Sequence, residues 1–155
     1  MEAVESGADG ETGDTPPRCA TLAEAEDEII AEFAELNDLT SRYAHLVRLG
    51  RELRTPRELR TDEYAVAGCQ SRVWIRTEIR QGRLRIAADS DALIVRGLIA
   101  LLLRLFDGRT PREVAAAGLR AFSETGLISH LSPARSEGLD ALVRRIREAA
   151  EAHGT

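Results

Sequence analysis

Residues 73–90 have the sequence VWIRTEIRQGRLRIAADS, and they decide the fold class. Apolar residues alternate with polar ones on both sides of Gln81-Gly82, as in strands that bury one face. A two-residue turn that contains glycine is typical of a β-hairpin. The pattern therefore predicts antiparallel strands at 73–79 and 84–88.

The segments next to this hairpin extend the prediction in both directions. Residues 64–66 (YAV) predict a third short strand or strand edge. Residues 92–106 are almost entirely apolar, are interrupted by two arginines and are too short to span a membrane, so they predict a helix buried inside the domain. Ser90 or Asp91 is placed to cap this helix, because a side-chain oxygen before a helix accepts its free N–H groups.

Helical spacing of apolar residues continues towards both ends of the chain. Thr21 and Glu24 form a capping-box pattern before an amphipathic helix. Asp38 is placed to cap a second helix that runs to about Leu53, and residues 54–63 are predicted as a polar loop. Three further helices are predicted, at about 111–116, 119–124 and 136–152. The whole pattern predicts an α+β fold, in which several helices pack on a small antiparallel sheet of three strands.

The first twenty residues differ in composition from the rest of the chain. Residues 1–20 are rich in Gly, Glu, Asp, Thr and Pro and have almost no large apolar side chains. Such a segment buries too little surface to offset the entropy of ordering it, so we expect a disordered acidic tail. Residues 21–155 are then one domain. Cys19 lies at the end of the tail and is interpreted as an incidental exposed thiol.

Composition limits the classes of function. Hydrophobic residues make up 43% of the 155 residues, which is enough for a core, and the net charge is −5. All 21 basic residues are arginines, and they are scattered rather than clustered, which argues against nucleic-acid binding. Two cysteines form no disulfide framework, and the N-terminus has no signal-peptide pattern. We therefore expect a cytoplasmic protein without membrane contact, monomeric or weakly dimeric.

Cys69 is the residue that suggests chemistry. It follows Gly68 in a predicted turn and precedes Gln70 and Ser71, and exposed loops on a rigid scaffold often carry reactive groups. A lone cysteine is more often a small buried hydrophobe, so that interpretation stays open. A cysteine–histidine hydrolase would need one of the distant histidines, for which His45 and His130 are the candidates. No Cys or His pair has the spacing of metal ligands, and no glycine-rich phosphate loop is present.

Several motifs together resemble the SufE family over roughly residues 28–152. The stretches that carry the resemblance are VAGCQSRVW at 66–74, DSDA at 89–92, IVRGLI at 94–99 and HLSP at 130–133, followed by Arg135-Ser136. Their order and spacing are much more specific than a single glycine motif. Arg72 departs from the pattern, since many members have Gln there.

The resemblance implies a SufE/NifU-like α+β fold and a role for Cys69 as a sulfur acceptor. It implies that a pyridoxal-phosphate (PLP) cysteine desulfurase of the SufS type supplies the sulfur, and that a SufB-type scaffold for iron–sulfur clusters receives it. No cofactor is expected on this chain, since the PLP belongs to the partner. The residues expected to contact the desulfurase are Gly68, Gln70, Ser71, Arg72, Asp91 and Arg135. Two other classes stay open: a thiol hydrolase that uses Cys69, and a structural adaptor in which Cys69 is dispensable.

Overall fold

The computed structural model describes residues 21–66, 71–127 and 131–153. The predicted acidic tail with Cys19 lies outside these residues. So do Gly68, Cys69 and Gln70, and so does His130.

The predicted hairpin is present and is slightly longer than expected. Strand β1 is Val73–Arg80 and strand β2 is Arg83–Ser90, and the two pair antiparallel from Arg80 opposite Arg83 to Val73 opposite Ser90. Gln81 and Gly82 have positive φ angles of 55° and 78°. Positive φ at both central residues is what a type I′ turn requires, and its twist matches that of the flanking strands.

A third position on the sheet is occupied by a single residue rather than by a strand. Ala65 forms an isolated antiparallel bridge to Trp74, and the Val66 N–H donates to the Val73 carbonyl at 2.9 Å. Within the described residues the sheet thus has two strands, not the predicted three. The α+β class with a small antiparallel sheet is confirmed.

The outer edge of β2 is paired with the segment that follows the central helix. Leu84 donates its N–H to the Arg109 carbonyl at 2.7 Å and accepts from the Gly108 N–H at 2.8 Å. The Ile86 N–H donates to the Asp107 carboxylate at 2.8 Å. This part of the edge therefore has its hydrogen bonds satisfied within the chain.

The described residues contain six α-helices. They are α1 (Leu22–Ala34), α2 (Leu39–Glu52), α3 (Leu93–Phe106), α4 (Pro111–Ala115), α5 (Arg120–Glu124) and α6 (Pro133–His153). The predicted caps of the first two helices are confirmed: the Thr21 hydroxyl accepts from the Glu24 N–H, and the Asp38 carboxylate accepts from the Ser41 N–H. None of these helices combines the length and the apolar character that a membrane crossing requires.

Helix α3 is the centre of the core, as its apolar sequence predicts. It packs against α1 and α2, against β2 and against α6. Its approach to α2 is close because glycines face each other: a Cβ on Gly97 would collide with the backbone of Leu46, and a Cβ on Gly50 would collide with the Leu93 carbonyl. Helix α6 covers α4 and β1 from the other side. The hairpin is therefore held between helices, as a two-stranded sheet needs for stability.

Two local predictions are wrong, and a third needs more detail. Neither Ser90 nor Asp91 caps α3, which begins at Leu93 after Ala92 with no side-chain cap. The last helix begins at Pro133, before the predicted position 136, because proline suits the first turn of a helix. The polar loop at 54–63 contains two 3₁₀ turns, Arg57–Leu59 and Asp62–Tyr64, and buries Leu59 completely.

Candidate functional site

The described residues on either side of the segment that carries Cys69, residues 67–70, lie at one end of the hairpin. The last described residue before it is Val66, and the chain is described again from Ser71. The hydrogen bond from the Val66 N–H to the Val73 carbonyl, 2.9 Å long, joins the two sides just beyond this segment. The described residues that flank 67–70 are therefore joined to each other at the start of β1.

Asp91 and Ser90 hold the backbone of Arg72, which follows this segment. The Arg72 N–H donates to Asp91 Oδ1 at 3.1 Å, and the Asp91 N–H donates back to the Arg72 carbonyl at 3.2 Å. The Ser90 hydroxyl also donates to that carbonyl, at 2.8 Å. The structure thus brings together three of the predicted site residues, Ser71, Arg72 and Asp91. Asp91 is thus used across the sheet end rather than on α3. The Ser90 hydroxyl also accepts from the Ala92 N–H at 3.2 Å, which reaches the residue before α3 but no N–H group of the helix itself.

Trp74 lies beneath two arginine side chains. The guanidinium carbon of Arg60 is 4.8 Å from the centroid of the indole ring, and that of Arg72 is 5.4 Å from it. Both distances are typical of cation–π contacts. Trp74 itself is only 4% exposed. The positive charge of Arg72 is therefore placed over a buried ring at the start of β1.

Behind this surface lies a buried cluster centred on Asp89, which is 3% exposed. Its carboxylate accepts from the Thr55 hydroxyl at 3.0 Å, from Arg60 Nε at 2.9 Å, from the Ser90 N–H at 2.8 Å and from Arg96. Burial raises the pKa of Asp89. The hydrogen bonds from Arg60 and Ser90, together with the charge of Arg96, outweigh burial and leave the pKa below its ordinary value of 3.8.

Arg96 connects this cluster to the end of helix α2. Its guanidinium donates to the Gly50 carbonyl at 2.8 Å and to the Leu53 carbonyl at 2.6 Å, besides its contact with Asp89. It therefore satisfies carbonyls at a helix end that lack partners within the helix. One side chain thus links α2, α3 and the end of β2, where Ser90 and Asp91 hold the backbone of Arg72.

Sequence reasoning missed the partners in this cluster, although one signal was present. Arg96 is a charge within an otherwise apolar helix, and a buried cation requires an acid partner. Asp89 and Asp91 both lie just before that helix, with Asp91 the nearer, and the sequence does not distinguish which of them pairs with Arg96. The contributions of Thr55 and Arg60 had no sequence signal, since both lie in a segment predicted as a loop.

Arg135, the remaining predicted contact residue, lies in the first turn of α6 and is exposed. Its backbone N–H donates to the Ser132 hydroxyl at 3.3 Å. Among the described residues, no polar contact joins it to Arg72 or Asp91. The structure therefore does not bring Arg135 into the group at the end of the hairpin.

His45, a candidate partner for a catalytic cysteine, is engaged elsewhere. Its Nε2 is hydrogen-bonded to Glu32, and its Nδ1 lies 3.0 Å from an Arg48 guanidinium nitrogen. Its ring also makes an edge contact with Phe33, with 5.1 Å between centroids. All three partners belong to α1 and α2. These contacts give His45 a role in joining the first two helices. The other candidate, His130, lies outside the described residues.

No group of three or more potential metal-binding side chains (His, Cys, Asp or Glu) is found within 21–66, 71–127 and 131–153.

Comparison with known proteins gives a consistent result. The SufE family model, described as an Fe-S metabolism associated domain, matches residues 27–150. An uncharacterized SufE-like protein of Rhizobium meliloti (strain 1021) is 40% identical over 131 residues, which is 81% of this chain and 94% of that protein. A second, from Rhizobium etli, is 40% identical over 131 residues, covering 81% of this chain and 88% of that protein.

A solved structure shares the fold. It is the solution structure of a hypothetical protein from Thermus thermophilus, with a TM-score of 0.66 and 19% sequence identity. The match covers 84% of this chain and 93% of that one. At this identity the likeness supports the fold alone.

Proposed function

Because the chain belongs to the SufE family of Fe-S metabolism associated domains, we propose that it is a sulfur-relay protein of iron–sulfur cluster assembly. In this proposal Cys69 accepts persulfide sulfur from a PLP-dependent cysteine desulfurase of the SufS type. The chain stimulates that desulfurase and passes the sulfur to a SufB-type assembly scaffold. The proposed compartment is the cytoplasm, where reducing conditions keep the thiol available.

The observation that carries the proposal is the hydrogen-bonded frame around the Cys69 segment. Val66 is bonded to Val73 on one side, and Arg72 is held by Asp91 and Ser90 on the other. This frame gives the described residues on either side of the Cys69 segment a fixed backbone. A carrier needs this, because its sulfur must enter the active site of another protein and leave again.

The proposed transfer is an exchange of sulfur between thiols. The Cys69 thiolate attacks the terminal sulfur of the persulfide on the desulfurase cysteine. A new S–S bond forms on Cys69, the old S–S bond breaks, and the desulfurase cysteine leaves as a thiolate. The sulfur atom moves with its oxidation state unchanged, so no external oxidant or reductant is required. The acceptor needs a thiolate and access, and no general base of its own.

The proposed contact surface consists of the Cys69 segment with its neighbours. Gly68 and Gln70 belong to it by their position beside Cys69. Ser71, Arg72 and Asp91 lie together where the chain is described again, and Arg72 and Asp91 are exposed there. Arg135 is proposed as a separate contact from the start of α6.

The proposal assigns no cofactor to this chain. The PLP belongs to the desulfurase, and the persulfide sulfur on Cys69 is cargo.

The test is sulfide release from cysteine by a SufS-type desulfurase, with the wild-type chain or a variant added. We expect strong stimulation by the wild type, loss of that stimulation in Cys69→Ser, and a gain of one sulfur atom on Cys69 by mass spectrometry. Cys19→Ser is the matched control, since it removes the other thiol and should stimulate like the wild type.

Three results would contradict the relay. Equal stimulation by wild type and Cys69→Ser would favour an adaptor. Turnover of a small thioester or peptide by the chain alone, lost in Cys69→Ser, would favour a hydrolase. The absence of any stimulation of a cognate desulfurase would also reject the relay.

A further inference from the structure

A cleft of about 490 Å³ lies beside the hairpin, on its polar side. Arg76, Glu78 and Arg80 line it, and these residues alternate along β1 with core residues such as Ile75. The loop after α2 contributes Arg54 and its neighbours to the lining. This volume is within the range of small-molecule sites, about 300–1,000 Å³.

The net charge of the cleft lining is opposite in sign to that of the whole chain. Four arginines and two carboxylates line it, a formal excess of two positive charges, whereas the chain carries a net charge of −5. Both carboxylates already pair with arginines in the cleft: Glu78 with Arg80, and Asp107 with Arg85. The excess charge therefore belongs to the other two arginines, Arg54 and Arg76.

Arg54 and Arg76 have no carboxylate partner among the described residues. Arg54 is exposed, and Arg76 is half-buried with its guanidinium carbon 5.8 Å from the Tyr64 ring centroid. An aromatic ring leaves the N–H groups of a guanidinium available. A guanidinium presents these groups in a planar fork that fits the oxygens of a carboxylate or a phosphate.

The rest of the lining is apolar apart from Thr55, and it suits a short carbon chain. Pro56, Ala87 and Leu103 contribute to the walls between the charged groups. A small site with an apolar wall and a few convergent cations is typical of sites that orient a small organic anion.

We propose that this cleft binds a small organic anion, a carboxylate or a phosphate ester, through Arg54 and Arg76. The short carbon skeleton of the ligand lies against Pro56, Ala87 and Leu103. This proposal does not depend on the sulfur relay, since Arg54 and Arg76 are not among the residues proposed to contact the desulfurase.

The test is to titrate the full chain with three four-carbon compounds and to monitor its backbone amides by NMR. Succinate is the dianion, butanediol its neutral counterpart and putrescine its dication. Glycerol phosphate is added to compare a phosphate ester with a carboxylate. We expect at least one of the two anions to shift amides of 54–55 and 76–87 with a Kd of about 1 mM or tighter, and the neutral and cationic compounds to leave them unchanged. Binding of succinate would identify the ligand as a carboxylate, and binding of glycerol phosphate would identify it as a phosphate ester.

Variants connect the binding to the two arginines. Arg54→Gln and Arg76→Gln should each weaken binding about tenfold, as expected for the loss of a hydrogen bond between charged groups. Arg51→Gln is the matched control, since this exposed arginine of α2 lies outside the lining and should leave Kd unchanged. Arg54 is exposed, so its variant should fold normally even if Arg76→Gln does not.

The proposal is overturned if neither anion shifts the cleft amides, or if putrescine shifts them equally. It is also overturned if Arg54→Gln binds as tightly as the wild type, or if Arg51→Gln loses as much affinity as Arg54→Gln.

Discussion

Replacement of Asp89 by Asn tests the buried cluster that supports the end of the hairpin. The change keeps the shape of the side chain and removes its charge. Removing one partner of a buried ion pair costs about 3–5 kcal/mol. Arg60 contributes little to this figure, because its side chain is 44% exposed and solvent screens its interaction with Asp89. Arg96 is 17% exposed and keeps its two carbonyl acceptors. We therefore expect a loss of about 3 kcal/mol in the free energy of unfolding.

Urea denaturation at neutral pH measures this loss, and thermal unfolding provides a second readout. A domain of this size should unfold roughly 6–12 °C lower for such a change. Asp140→Asn is the matched control, because Asp140 is exposed on α6 and should change stability by less than about 0.5 kcal/mol. A cost for Asp89→Asn that is no larger than the cost for Asp140→Asn would refute the proposed role of the cluster.

The pH dependence of the same comparison gives an independent check. The pKa of Asp89 lies below its ordinary value of 3.8 in the folded protein. Between the folded pKa and 3.8, the unfolded chain binds more protons than the folded chain does. The stabilisation is therefore complete at a pH well above 3.8 and is lost as the pH falls through the folded pKa. The stability difference between wild type and Asp89→Asn should therefore shrink in acid. A difference that stays constant down to about pH 2 would contradict this assignment.

Three further predictions concern the frame and the proposed contact surface. Gly97→Ala should destabilise the chain by about 1–3 kcal/mol in urea denaturation, because its Cβ meets the Leu46 backbone. Gly118→Ala is the control, since a Cβ there has no heavy atom within 4 Å. Equal costs for the two variants would disprove the close packing. Asp91→Ala should speed hydrogen exchange at the Arg72 amide by roughly tenfold, because it removes a charge-assisted hydrogen bond of about 1.4 kcal/mol. Asp91→Asn is the control, since it keeps an acceptor for this amide and should change the exchange rate less. Unchanged exchange in the alanine variant would show that the bond does not protect the amide. Arg135→Ala should weaken desulfurase binding by about tenfold without changing the stability of the chain. Calorimetric titration measures the binding, and Arg144→Ala is the control, because Arg144 is also an exposed arginine of α6. Normal binding by Arg135→Ala would remove Arg135 from the contact surface.

The hairpin and most helices could be predicted because their signals are local. Alternation around Gln81-Gly82 gave both strands, and helical spacing behind Thr21 and Asp38 gave the first two helices with their caps. Each of these signals lies within a few residues of the element that it defines. Burial of the alternating or periodic face then follows from the hydrophobic effect.

The failures occurred where a distant partner decided the local structure. Ser90 and Asp91 have the chemistry of helix caps, but both bond the backbone of Arg72 across the sheet end, and Ser90 reaches towards α3 only as far as the Ala92 N–H. The loop at 54–63 is rich in charge, and only the tertiary fold shows that Leu59 is buried and that Arg60 reaches Asp89. Pairings over such separations depend on the folded arrangement, which periodicity does not encode.

The candidate site was predicted through its motifs rather than through its geometry. The resemblance identified the stretch around Cys69 and predicted Ser71, Arg72 and Asp91 as neighbours in function. That these residues are neighbours in space, joined by hydrogen bonds, is a finding of the structure. Cys69 itself lies outside the described residues, so its role stays a prediction.

The pairing of β2 with the segment after α3 has a consequence for association between molecules. An open strand edge is a template on which a strand from another copy can add, and this is how many β proteins begin to aggregate. Here the N–H and carbonyl of Leu84 and the N–H of Ile86 are already bonded to residues of the same chain. Residues 107–109, which follow the central helix, thereby occupy the positions that an added strand would need along this part of β2, so this stretch is closed as a template for a second copy.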